Sequence, residues 1–270
     1  MDREEQQPAY IYIPSLAFEA DPATEGTASH NITEVWVYVN DQMLGAYDLP
    51  ATIPVLASGS ASVRCFAGIK NNGISSTRIK YPFYSSYDLT LDLQPLQYDT
   101  IVPDFHYLPD IAIQEFDFEA GIPFEPYGTS DDELVSVTDP AYVFEGNASA
   151  YSLLDGTENQ LIVRSFDQWE WEAGNTVFLE MNYSSNNTFS VGLVVHKGVS
   201  VTRSFALVIN STRTGTGVPV WNKIYVDMGY VVLNNPGADF YELYVESIRD
   251  NSNPAAELYL DNLKVVSYQY

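Results

Sequence analysis

The chain has 270 residues, with 36 acidic side chains against 12 basic ones, a net charge of −24 and a single cysteine. A surface that negative repels a phosphate backbone, which excludes nucleic acid as a partner. Cys65, being alone, supports neither a disulfide framework nor a cysteine-based zinc site, and reads as a small buried hydrophobe.

The acid excess is uneven. Up to residue 108 there are 5 basic and 13 acidic residues, and beyond it 7 and 23. Carboxylates gathered in the second part suit calcium, a hard cation that takes oxygen ligands; a solvated acidic surface explains the same composition. No run of about 18 apolar residues is present, so no membrane-spanning helix is expected. Tyr, Phe, Val, Thr, Ser and Asn are plentiful and turn residues recur throughout, which predicts an all-β protein. The length accommodates two domains, each with its own core.

Residues 1–8 read as a flexible tether. They resemble the start of a mature lipoprotein, with Met1 standing where the lipidated cysteine would be and Asp2, Glu4 and Glu5 resembling the surface-export signal of some Gram-negative lipoproteins. An ordinary flexible terminus explains the same residues. The strand YIYIPSLAFEA follows, and Pro14 within it suits an edge strand or a bulge. EVWVYVN then alternates strictly, with Val35, Val37 and Val39 on one face and Trp36 and Tyr38 on the other, before a turn begun by Asn40-Asp41. TIPVL, ASVRCFAGI, ISSTRIKYPFY and DLTLDL come next, and Asn72-Gly73 is the strongest hairpin signal. Residues 9–100 therefore predict an Ig-like β-sandwich. Their order of hairpin, Pro-bearing strand and Ser-Gly turn resembles small surface domains that act as spacers. Residues 101–110, with Pro103 and Pro109, show little periodicity and read as a Pro-rich linker.

From residue 111 to 270 roughly ten strands are expected, the size of a jelly-roll β-sandwich; WNKIYVDMGYVV and FYELYVESIRD are two of them. The closing strand, AELYLDNLKVVSYQY, places Leu258, Leu260, Asn262 and Lys264 on one parity and Tyr259, Asp261, Leu263 and Val265 on the other. Asp261 then projects from a largely apolar face and needs a partner.

Three pieces, Phe118-Glu119-Ala120-Gly121, Glu145-Gly146-Asn147-Ala148-Ser149 and Asp261-Asn262, together resemble the calcium-containing carbohydrate-binding jelly rolls of the galactose-binding-like superfamily. VFLEMNY followed by FSVGLVV resembles the central strands of jelly-roll domains in surface lipoproteins of polysaccharide-foraging Gram-negative bacteria. The resemblance implies adjacent first and last strands, with Asp117, Glu119 and Asp261 converging on a structural calcium completed by carbonyls near Gly146. Asp117 and Glu119 on a solvated face, with Asp261 bonded locally to backbone, account for the same residues.

Sugar-binding jelly rolls use aromatic faces that stack on pyranose C–H groups. Trp169 and Trp171 in FDQWEWEAG share one face, as ligand platforms or as core residues. Trp221 follows a Gly-, Ser- and Thr-rich loop in which Arg213 is placed to reach a ligand oxygen or simply to face solvent. His30, His106 and His196 lie in unrelated contexts, and no HExxH, GxSxG, phosphate-binding loop or dinucleotide fingerprint is present. The expectation is a non-enzymatic lipoprotein, lipid-anchored at the outer membrane or cell surface, whose jelly roll binds a glycan or an extracellular protein. Two alternatives stay open: a structural or adhesive component of a surface assembly, and a carbohydrate-active enzyme with two carboxylates in a cleft.

Overall fold

Alternating apolar residues set the strands throughout the chain. The computed structural model describes residues 7–269, so most of the tether, with Asp2, Glu4 and Glu5, lies outside the described residues. The chain divides into two units between Asp110 and Ile111.

In chain order the first unit carries β1 (Ala9–Ile13), β2 (Ala17–Phe18), β3 (Glu34–Val39), β4 (Gln42–Asp48), β5 (Ala51–Val55), β6 (Gly59–Lys70), β7 (Arg78–Lys80), β8 (Ser86–Leu93), β9 (Tyr98–Thr100) and β10 (Asp104–Phe105). β1 lies between β5 and β9, β2 pairs with β10, and β3 and β6 form the centre of a sheet with β4, β7 and β8. Ile11, Ile13, Ile53, Val35, Val37, Val63 and Cys65 are all buried. Burial pushes the Cys65 thiol up to about 12, so it is inert as a nucleophile. Both expected hairpins form: Asn40 and Asp41 (φ 50° and 61°) join β3 to β4, and Asn72 and Gly73 (φ 55° and 68°) lie in the turn from β6 to β7. Left-handed backbone is tolerated by these residue types and by few others.

Two expectations for this unit are corrected. β1 ends at Ile13, so Pro14 lies beyond it, and β1 is an inner strand rather than an edge. Residues 101–110 are not a linker: Ile101, Phe105 and Tyr107 are buried, the Ile101 N–H donates to Tyr12 O at 3.0 Å, and the Leu108 N–H to Phe83 O at 2.9 Å. The apolar side chains outweigh the prolines, because exposing them would cost more than ordering the segment.

The second unit carries β11 (Ile111–Phe116), β12 (Phe124–Pro126), β13 (Val135–Val137), β14 (Ser149–Leu154), β15 (Gln160–Ser165), β16 (Val177–Ser185), β17 (Phe189–Lys197), β18 (Ser200–Ile209), β19 (Asn222–Asp227), α1 (Gly229–Asn234), β20 (Phe240–Ile248) and β21 (Ala256–Tyr268). One antiparallel sheet runs β13-β14-β21-β16-β19, with β11 also on β21, and the other runs β12-β15-β20-β17-β18. Leu179, Met181, Leu258 and Leu260 from the first sheet share a core with Leu161, Val163, Leu193 and Leu243 from the second. The unit is thus a β-sandwich-like pair of sheets.

WNKIYVDMGYVV is not one strand. The Asp227 carboxylate accepts from the Gly229 N–H at 2.8 Å, and Met228 O accepts from the N–H groups of Val231 and Val232, which turns the chain into α1. At six residues this helix is too short to show a helical period in sequence.

The closing strand also departs from strict alternation. β21 bulges at Asp261-Asn262, where Asn182 pairs with Asp261 and Glu180 with Lys264, and Asn262 takes φ 46°. The bulge switches parity, so Leu258, Leu260, Leu263 and Val265 all enter the core, and Asp261 points away from it.

Candidate functional site

The strand β20, FYELYVESI, sends Tyr241, Leu243 and Val245 into the core. Glu242, Tyr244 and Glu246 therefore project from the outward face of the sheet. Register places their neighbours: Tyr244 lies opposite Arg164 on β15 and Gly192 on β17, and Gly192 in turn lies opposite Phe205 on β18. Glu246 sits between Ile162 and Ser190, with Val208 beyond Ser190. Gly192 is required here. A Cβ at that position would meet Ser204 O at 2.3 Å and Tyr244 Cε1 at 2.7 Å, so its absence lets the Tyr244 ring lie across the strand toward Phe205, 5.7 Å away centroid to centroid.

Charged groups on this face are paired across strands. Arg164 donates through Nη2 to Glu125 Oε1 at 2.7 Å and through Nη1 to Glu242 Oε2 at 3.2 Å. His196 Nε2 lies 2.8 Å from the same Glu242 oxygen, and Gln168 Nε2 donates to Glu242 Oε1 at 3.2 Å. Arg203 Nη1 stands 3.2 Å from Glu246 Oε1, which also accepts from Gln160 Nε2 at 3.3 Å. These pairs join neighbouring strands across the outward face.

Two atoms in this layer have no protein partner. Tyr244 Oη and Glu246 Oε2 are buried and accept or donate no protein hydrogen bond, an arrangement that costs about 1–3 kcal/mol for each group. Burial and the Glu246 charge push the Tyr244 hydroxyl well above the usual phenol range, so it is a neutral donor and acceptor. Glu246 is also a wall of a cleft of about 200 Å³, with Thr188, Ser190, Phe205, Val208 and Ile248; Tyr244 does not line it but packs against Phe205, which does. The rim of the cleft is apolar and its wall is a carboxylate. Phe205 is 53 % exposed and meets the Tyr244 ring in a T-shaped contact.

The residues singled out in the sequence fall elsewhere. Trp171 is a core residue, stacked on Trp169 at 5.4 Å and packed against Tyr241 at 5.6 Å. Trp169 packs on the same core and against Phe116. Trp169 is partly buried and Trp171 buried, as paired indoles on one face are when they meet apolar neighbours inside the sandwich. Trp221 is half-buried, with its ring 5.4 Å from Phe144 and 6.3 Å from Tyr259. Arg213 does not face solvent: its side chain is buried, pairs with Glu257 Oε2 at 2.6 Å, bonds Gly215 O and lies over the Tyr259 ring. It fastens its own loop, since Gly217 N–H donates to the same Glu257 oxygen.

Asp117, Glu119 and Asp261 do not form a three-carboxylate cluster among the described residues. Asp117 accepts from the Glu119 N–H at 3.1 Å, a local turn. Glu119 instead accepts from the Asn147 N–H at 2.7 Å, the Ala148 N–H at 3.0 Å and Asn147 Nδ2 at 3.0 Å. Those bonds, the side-chain one foremost, hold its carboxyl below the usual range. Asp261 accepts from Ser149 Oγ at 2.6 Å, the Glu145 N–H at 3.3 Å and the Asn262 N–H at 2.8 Å. Burial outweighs these bonds and raises its carboxyl to about 6. Glu119, in the turn after β11, and Asp261, on β21, thus reach one segment, residues 145–149. In the first unit Glu19, Asp104 and His106 bring ligand atoms within 4.8 Å of one another, the one such set among the described residues.

The outward-face site escaped sequence reading, although FYELYVESI carried its signal: Glu, Tyr and Glu alternating with core residues on a central strand.

No family model matches the chain, and no curated protein matches it. Similar solved structures include a carbohydrate-binding module in complex with β-1,4-galactotriose, at 12 % identity over 57 % of this chain and 94 % of that one, with a TM-score of 0.36. A structure concerned with promiscuous specificity in carbohydrate-binding modules of the β-sandwich superfamily matches at 13 % identity over 97 % of this chain and 98 % of that one, TM-score 0.40. An adhesin domain of Lys-gingipain from Porphyromonas gingivalis matches at 12 % identity over 57 % and 97 %, TM-score 0.40. Likeness of this degree assigns neither fold nor ligand.

Proposed function

We propose that the chain is a non-catalytic glycan-binding protein: its second unit, a jelly-roll sandwich, takes the ligand on the outward face of the β12-β15-β20-β17-β18 sheet, and its first unit, an Ig-like sandwich, is a spacer. The observation that carries this reading is the pair of partnerless buried atoms, Tyr244 Oη and Glu246 Oε2, with Glu246 in the wall of an apolar-rimmed cleft. A sugar hydroxyl donates and accepts at once, so it satisfies both atoms without adding charge. The half-exposed Phe205 ring is the candidate for C–H stacking, and the ion pairs join the strands around it.

Support for a binding rather than a catalytic role comes from the spacing of the two glutamates on β20 and from the arginine bonds to all three carboxylates, Glu125 and Glu242 being bridged by one guanidinium. Glu242 and Glu246 stand four residues apart on one strand, about 13 Å along it, against roughly 5–9.5 Å for glycosidase carboxylate pairs. Each is also engaged by an arginine. Lipid anchoring at the outer membrane or cell surface is proposed on residues 1–8 alone.

Calcium is proposed as a structural ion near residues 145–149. The oxygen-rich donors Asp261 and Glu119 fit it, and Asp261 is a buried, desolvated carboxylate of the kind a cation stabilises; Asp117 is not part of the set. Calcium should raise the melting temperature of the wild type and leave that of Asp261→Asn unchanged. Equal responses to calcium and EDTA in both proteins would remove the ion from the account.

A second reading has its own observation. β18 is an edge strand with Val201, Phe205 and Val208 exposed, which suits pairing with an extracellular protein. A broad glycan array separates the two. Binding that is weakened about tenfold by Phe205→Ala supports the glycan; a silent array sinks it and leaves the edge strand.

A further inference from the structure

We infer that this face selects uncharged glycans and rejects uronate-bearing and sulfated ones, an inference that rests on the glycan-binding reading above. The network holds three carboxylates, Glu125, Glu242 and Glu246, against two guanidiniums, Arg164 and Arg203. The sequence beyond residue 108 carries 7 basic against 23 acidic side chains, an excess whose field repels anions.

Local chemistry points the same way. An acidic sugar is held best by a free guanidinium fork, and the fork of Arg164 is spent: Nε and Nη2 bond Glu125, Nη1 bonds Glu242, and the guanidinium lies 4.9 Å over the Tyr127 ring. Arg203 is tied to Glu246. The groups without protein partners are a carboxylate oxygen, Glu246 Oε2, and a neutral phenol, Tyr244 Oη. The first takes only a donor, which a sugar hydroxyl provides and a carboxylate at the same position does not. Seating an anion beside Glu246 would add a like-charge contact in a partly desolvated cleft.

Geometry limits what reaches them. The cleft, at about 200 Å³, is smaller than the roughly 300–1,000 Å³ of pockets for drug-sized ligands, so it takes one residue or the end of a chain. Both partnerless atoms adjoin the Arg203 and Phe205 side chains, which are 34 % and 53 % exposed. A rotamer change in either opens the layer to a hydroxyl.

The test is calorimetry with matched neutral and uronate oligosaccharides, on wild type, Glu246→Gln and Val208→Arg. Wild type should prefer the neutral partner by at least about tenfold. Glu246→Gln removes a negative charge and frees Arg203, so the neutral-to-uronate ratio should fall, an effect that a merely structural role for Glu246 would not produce. Val208→Arg adds a positive charge at an exposed rim position of the same cleft, and should raise uronate affinity even if Glu246→Gln folds poorly. Wild-type binding of uronates as tight as neutral sugars overturns the selectivity while leaving the binding face intact. Absence of binding to every oligosaccharide overturns both.

Discussion

At the scale of single residues, two positions carry the most physical tension. Gly192 exists so that Tyr244 can lie across its strand, and Gly192→Ala should lower stability by about 1–3 kcal/mol, read from the denaturant midpoint. An unchanged midpoint would mean the Tyr244 ring is not held there. Asp261 gives a pH signature. Its folded-state carboxyl is raised to about 6 from 3.8, so the native state holds the proton more tightly than the unfolded chain. Its contribution is fully present below about pH 4 and declines as pH rises to 6, by up to about 3 kcal/mol. Glu119 shifts the other way, so the comparison must be wild type against Asp261→Asn: the difference in their stabilities should move against the wild type between pH 4 and 6.5. A flat difference contradicts the desolvated state of Asp261 in the calcium-free protein.

Among the elements, strands and tight hairpins were legible because alternation and the Asn40-Asp41 and Asn72-Gly73 turns are local properties. What was not legible depended on long-range pairing. The bulge at Asp261-Asn262 inverts half of the last strand, and nothing in AELYLDNLKVVSYQY alone marks where β14 gives way to β11 along it. The prolines near residues 103 and 109 suggested a linker, yet Phe105 and Tyr107 buried themselves in the first unit. Tryptophans were the natural ligand candidates, but a large aromatic is also what a core takes. The working face was missed because Arg164, Arg203 and Phe205 reach Glu242, Glu246 and Tyr244 only through sheet register. The 211–217 loop shows the same lesson in reverse: Arg213, expected near a ligand, is a buried clamp on Glu257. Arg213→Ala leaves that carboxylate unpaired and should cost about 3–5 kcal/mol of stability, while glycan affinity stays within twofold. A lost affinity with unchanged melting temperature would restore Arg213 as a ligand contact.

For the whole molecule, the outward face of the second unit is the proposed ligand surface, and the first unit carries none. Titrating isotope-labelled protein with the strongest array ligand, and following backbone amide shifts by NMR, tests that placement most directly. Saturable changes are expected at Gly192, Phe205, Val208, Tyr244 and Glu246, with the loop around Arg213 and Trp221 undisturbed. Changes centred on Trp221 and Arg213, with β17, β18 and β20 silent, would contradict it.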